Sequence, residues 1–119
     1  MNWYLAKLVY RIICGQGLHT PQFDEQLRLI EATDEQQAFE KASAIGLQEQ
    51  DAFYNDQKKL VQWKFINIAE LYKLSGLLDG AELYSRIQET DNADLYIELT
   101  NKKAAHIRLN SLHKFLELL

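Results

Sequence analysis

The chain has 119 residues, 47% of them hydrophobic and 25% charged, and carries a formal charge of −4. That length suits one core, and five glycines with one proline leave no long flexible stretch. The acidic balance disfavours a nucleic-acid binder, which neutralises phosphates with clustered cations; Lys58-Lys59 and Lys102-Lys103 are isolated pairs.

A single cysteine, Cys14, has no internal partner, so there is no disulfide framework and a reducing compartment is expected. Lys7 and Arg11 interrupt the first apolar run before it reaches the length of a signal peptide. No window approaches ~18 apolar residues, the minimum for a membrane span. The expectation is a cytoplasmic protein, with no membrane partner.

Asn2 to Cys14 reads as a long strand, with Tyr4, Ala6, Leu8, Tyr10, Ile12 and Cys14 on an apolar face. Its other face, Trp3, Leu5, Lys7, Val9, Arg11 and Ile13, is two-thirds apolar, which calls for cover by another element or by a second subunit. Gly15 to Gln22 is loop. Phe23 to Ala32 is a second strand, with Phe23, Leu27 and Leu29 expected inward and Asp24, Gln26 and Arg28 outward, although Glu25 and Ile30 break the alternation.

Thr33 to Gln36 reads as a helix start, with Thr33 as N-cap and Gln36 reaching back. Ala38, Phe39, Ala42 and Ile45 recur at helical spacing, and the helix is expected to run past Gly46 to take in Ala52 and Phe53. Asn55-Asp56 signals a turn. Val61, Trp63 and Phe65 then alternate with Gln62 and Lys64 in a strand placed at the centre of the sheet, which either continues beyond Ile68 through a bulge or gives way to a helical turn. Ser75 to Gly80 is loop. Ala81 to Glu89 and Asp94 to Thr100 read as a strand hairpin. Lys102 to Leu119 reads as a helix with Ala105, Leu109, Leu112, Leu116 and Leu119 on one stripe, docking on its own sheet or on another chain.

No catalytic set emerges. Cys14 and His19 suggest a thiol and a base, but the cysteine ends a strand on the apolar face, without the helix N-terminus or cation that lowers a thiol pKa. His106 and His113 are seven apart, whereas chelation within a helix uses spacings of three or four, so no metal site is expected. If the strands pair as neighbours, Arg28, Lys64, Glu82, Tyr84 and Arg86 form a patch able to grip a carboxylate or phosphate; cross-strand ion pairs on a solvated face would look the same.

Trp3-Tyr4 with Lys7-Leu8, Ala38-Phe39, Val61-Gln62-Trp63-Lys64-Phe65 and Gly80-Ala81-Glu82-Leu83-Tyr84-Ser85-Arg86 together resemble a family of small bacterial proteins, domain of unknown function 4288. The resemblance runs from about Trp3 to Arg86 and implies a cytosolic α+β protein. It carries over no functional residue, and the stretch after Glu89 lies outside it.

The architecture expected is α+β in a single domain: an antiparallel sheet of about five strands in the order ββαβββα, with one long helix on a face and a C-terminal helix. The function expected is a non-catalytic, cofactor-free interaction module. Trp3, Val9, Ile13, Leu116 and Leu119 would close a homodimer or a protein partner interface, with toxin neutralisation or a subunit role as specific forms. The alternative is a small enzyme or binding protein for an anionic metabolite on the Arg28, Lys64, Glu82, Tyr84 and Arg86 patch.

Overall fold

The computed structural model describes residues 1–118, in two compact units, Met1–Ser85 and Arg86–Leu119. The first contains β1 (Asn2–Cys14), β2 (Gln22–Ala32), α1 (Glu35–Gln48), β3 (Asp51–Tyr54) and β4 (Leu60–Lys73). Its sheet is antiparallel in the order β2-β1-β4-β3. The second contains α2 (Ala93–Glu117).

The alternation of β1 sets the core. Tyr4, Ala6, Leu8 and Tyr10 are buried on one face with Ile30 and Ala32 of β2, beneath Ala38 and Ala42 of α1. Two alanines one turn apart keep the helix surface smooth, so the helix lies close to the sheet. Fully buried Leu8 and Ile30 contribute roughly 1.5–3 kcal/mol each. One turn beyond Ala42, Gly46 extends this smooth track. A Cβ there would lie 2.6 Å from Phe65 Cδ1, so the helix rests directly on that ring. The Tyr10 hydroxyl donates to the Gly46 carbonyl at 3.0 Å, and its ring packs on Phe65 with centroids 5.6 Å apart.

The strand that includes Val61, Trp63 and Phe65 is β4, one of two interior strands, and those three side chains face α1 as expected. It continues to Lys73 through two irregularities, where the pairing shifts between Lys7 and Leu8 and between Val9 and Tyr10. One extra residue reverses a strand's faces and a second restores them, so Phe65 and Leu71 both meet the core.

Five expectations need correction. The sheet has four strands, because Ala81 to Glu89 adopts no regular structure and Asp94 to Thr100 is helical. The alternation of Leu95, Ile97 and Leu99 suits a strand, but Asn92 caps a helix by accepting from the Leu95 N–H at 3.0 Å, and Glu98 pairs with Lys102 one turn on at 3.4 Å. The first helix stops at Gln48, and Ala52 and Phe53 belong to β3, where Phe53 stacks on Trp63 with centroids 6.0 Å apart. Its N-cap is Asp34, which accepts from the Gln37 N–H at 2.8 Å, while Gln37, not Gln36, reaches back to the Thr33 N–H at 2.6 Å.

The fifth correction concerns β2. Asp24, Gln26 and Arg28 lie on the α1 side, half-buried, opposite Tyr10, Leu8 and Ala6, while Phe23, Leu27 and Leu29 lie on the other side. The polar row is tolerated because its members satisfy one another. Gln26 donates to Asp24 at 2.7 Å, the Trp63 indole N–H donates to Asp24 at 3.1 Å, and Arg28 donates to Gln26 at 2.8 Å and pairs with Glu49 at the end of α1.

Candidate interaction site

With α1 on one face of the sheet, the other face is built around the odd-numbered residues of β1. Trp3, Leu5, Lys7, Val9 and Arg11 stand opposite Glu31, Leu29, Leu27, Glu25 and Phe23 of β2. On the β4 side, Leu5, Lys7, Val9, Arg11 and Ile13 stand opposite Tyr72, Glu70, Asn67, Lys64 and Gln62.

The upper half of this face is covered by the stretch that follows β4. The Leu74 N–H donates to the Trp3 carbonyl at 2.8 Å, and Leu74 and Leu5 are both buried. Tyr84 returns over the sheet, its ring edge-on to Tyr72 at 5.8 Å and 5.6 Å from the Lys7 ammonium. Lys7 also lies 3.2 Å from the buried Oε2 of Glu70, a contact in which short-range bonding to the carboxylate outweighs the attraction of charge alone. The Glu70 carboxylate raises the Lys7 pKa above the ordinary lysine value, against the desolvation that lowers it.

The β2 margin of this face, and its end towards the β1–β2 connection, are open. Phe23, Leu27 and Leu29 keep 55%, 51% and 48% of their surface exposed, beside half-buried Val9 and Ile13. Arg11, Lys64, Glu25 and Glu31 stand among them, so the surface is apolar with both signs of charge interspersed. Large apolar side chains left exposed together on one sheet face mark a candidate docking site.

The structure does not gather the residues expected to bind an anion. Arg28 is on the α1 side and engaged with Gln26 and Glu49, whereas Lys64 is on the open side. β2 and β4 are not neighbours, because β1 lies between them. Glu82 and Tyr84 line a cleft of about 310 Å³ with Tyr72 and Ser75. Arg86 is exposed at the start of the second unit. Of the expected interface residues, Trp3, Val9 and Ile13 share the face away from α1, with Trp3 at its covered end, Leu116 is exposed on α2, and Leu119 lies outside the described residues. Phe23, Leu27 and Leu29 were missed as surface residues. The signal was Ile30 with Ala32, apolar and even-numbered, which oppose the parity of the three.

Cys14 is half-buried at the end of β1, and His19 does not act on its thiol. His19 Nε2 accepts from the Cys14 backbone N–H at 3.0 Å and Nδ1 meets the Thr20 carbonyl at 2.9 Å, which requires Nδ1–H and a neutral ring. This imidazole ties the β1–β2 connection, where Gly15 and Gly17 supply the positive φ that the turn needs. Among the described residues no group of three His, Cys, Asp or Glu is placed to hold a metal, and no helix is long and apolar enough to cross a membrane.

The profile of domain of unknown function 4288 (DUF4288) matches residues 3–85. The chain belongs to this family. The DUF4288 match begins on Trp3 in β1 and ends on Ser85, so it takes in the whole sheet, α1 and the covering stretch through Tyr84. No curated protein and no solved structure matches the chain.

Proposed function

We propose that this DUF4288 protein is a non-catalytic interaction module of the bacterial cytoplasm that binds a protein partner through the open β2 margin of its sheet. The observation that carries this reading is the row Phe23, Leu27 and Leu29, each about half exposed beside Val9 and Ile13. Leaving that much apolar surface in water forfeits burial energy that a partner restores. The interspersed charges suit a partner with a complementary mixed surface, and toxin neutralisation or a subunit role are its specific forms. Anion binding has less geometric support, since Arg28 is turned to the opposite face.

The test uses the full chain as bait, beside a Phe23→Ser/Leu29→Ser double variant. Both side chains are half exposed, so the variant is expected to stay folded. A partner retained by the natural chain and lost by the folded variant supports the reading. Identical capture by both baits, together with thermal stabilisation by phosphate or carboxylates, refutes it.

A further inference from the structure

We propose that the open face's β2 margin is completed by a second copy of this chain, paired antiparallel along the outer edge of β2 so that two four-stranded sheets join as one. The proposal rests on reading the open face as an interaction surface, and it names the occupant.

β2 is 11 residues long and, among the described residues, is hydrogen-bonded along one side only, to β1. Its outer backbone groups are a template for another strand. Protected edges are short, bulged, interrupted by proline or lined with charge; the inward charges of β2, Asp24 and Arg28, each already have a partner within the copy. β2 has no proline and pairs with β1 from Gln22 to Ala32 without a register shift. The other edge, β3, has four residues.

Self-pairing has a preferred register. A two-fold axis perpendicular to the sheet keeps each residue on its own face, so the axis must pass through a residue. With the axis at Gln26, Phe23 stands opposite Leu29 of the second copy, Asp24 opposite Arg28, and Glu25 opposite Leu27. Each heterologous pair occurs twice. Phe23 meets an apolar partner and Asp24 a basic one, while Glu25 meets a leucine. With the axis at Leu27, Phe23 instead faces Glu31, and Asp24 faces Ile30. With the axis at Arg28, two arginines oppose each other and Glu25 opposes Glu31. Of these three registers, the one at Gln26 alone pairs Phe23 with a leucine and Asp24 with a base, and it leaves Glu25 opposite Leu27. It also sets the Phe23, Leu27 and Leu29 rows of the two copies side by side across the seam, with the two Glu25 carboxylates among them.

The test is light scattering on the full chain, with Leu27→Glu and Leu27→Lys variants. Within one copy residue 27 faces Lys7, so a glutamate there favours the fold, and melting temperatures confirm that both variants are folded. Across the seam residue 27 faces Glu25, so glutamate repels twice and lysine attracts twice. The expected result is a dimer whose dissociation constant rises about tenfold or more in Leu27→Glu and changes less than about threefold in Leu27→Lys. Gln26→Cys, made in a Cys14→Ser background, should form an intermolecular disulfide, because the axis passes through that residue on the face away from the apolar row. A natural chain that is monomeric at high micromolar concentration overturns the proposal. So does equal weakening by both Leu27 variants, or a Gln26→Cys dimer that fails to cross-link. A monomer that still captures a partner through Phe23 and Leu29 removes only the second copy. A monomer that captures none removes the interaction reading as well.

Discussion

Replacing Gly46 with alanine separates helix propensity from packing at the tightest point of the core. In an exposed helix interior the change stabilises by about 0.8–1.0 kcal/mol. Here the new Cβ would stand 2.6 Å from both Cδ1 and Cζ of Phe65, where an ordinary contact is nearly an ångström longer. The ring cannot swing freely, since Tyr10 packs against it, and lifting the helix would stretch the Tyr10 hydroxyl bond to the Gly46 carbonyl. Overpacking of this kind costs about 1–3 kcal/mol, and the weakened hydrogen bond adds about 1 kcal/mol. The net expectation for Gly46→Ala is a loss of about 1–3 kcal/mol, against a gain from propensity alone. Urea unfolding followed by the fluorescence of Trp3 and Trp63 measures it, with a midpoint about 1 M lower for a loss near 2 kcal/mol. Repeating the change in a Phe65→Leu background removes the ring atoms it meets, and there it should be near neutral or stabilising. A Gly46→Ala protein as stable as the natural chain, or an equal loss in both backgrounds, would refute the close approach of α1 to β4.

Tyr10→Phe should cost about 1–2 kcal/mol in the same assay, because it leaves the Gly46 carbonyl, in the last turn of α1, without its donor. Burial raises the Tyr10 phenol above its ordinary value of 10.0, and Glu49 adds to this; Lys7 is likewise raised above 10.5 by Glu70. A raised pKa means that the folded state holds its proton longer than the unfolded chain. That stability is whole below the ordinary values and is lost as pH rises through the folded ones. Urea midpoints should therefore fall above pH 10, and less steeply in Tyr10→Phe; parallel slopes would contradict the burial of that hydroxyl. Asp34→Ala should lower stability by about 1 kcal/mol through the lost cap on the Gln37 N–H, visible as a lower thermal midpoint by circular dichroism, whereas an unchanged midpoint would move the cap back to Thr33.

Much of the first unit was legible in the chain. β1 shows itself from Asn2 to Cys14 because its even-numbered residues from Tyr4 onward are all apolar, and the Gly15–Gly17 turn follows from the two glycines that take positive φ. The Trp63 and Phe65 rings face the core because the alternation around them is strict. Less legible were segments short enough to satisfy two periods. Asp51 to Tyr54 fits the end of a helical stripe, and becomes a strand only because Leu60 to Trp63 offers it a ladder after the Asn55–Lys59 turn. Leu95, Ile97 and Leu99 alternate like a strand, and the Asn92 cap decides for the helix. The anion patch failed for a topological reason: placing β1 between β2 and β4 separates residues that a neighbouring pair would have joined.

By itself the sequence determined where most of the first unit extends, where it turns, and that Val61, Trp63 and Phe65 share one side. Only the tertiary structure decided which side of β2 looks at the helix. A period of two is unchanged when its faces are exchanged, so burial of Ile30 and Ala32 at one end carries Asp24, Gln26 and Arg28 inward with them. The polar row then survives there because Trp63, Glu49 and its own members supply its hydrogen bonds and its counter-charge, and the phenyl and leucyl groups are left facing outward.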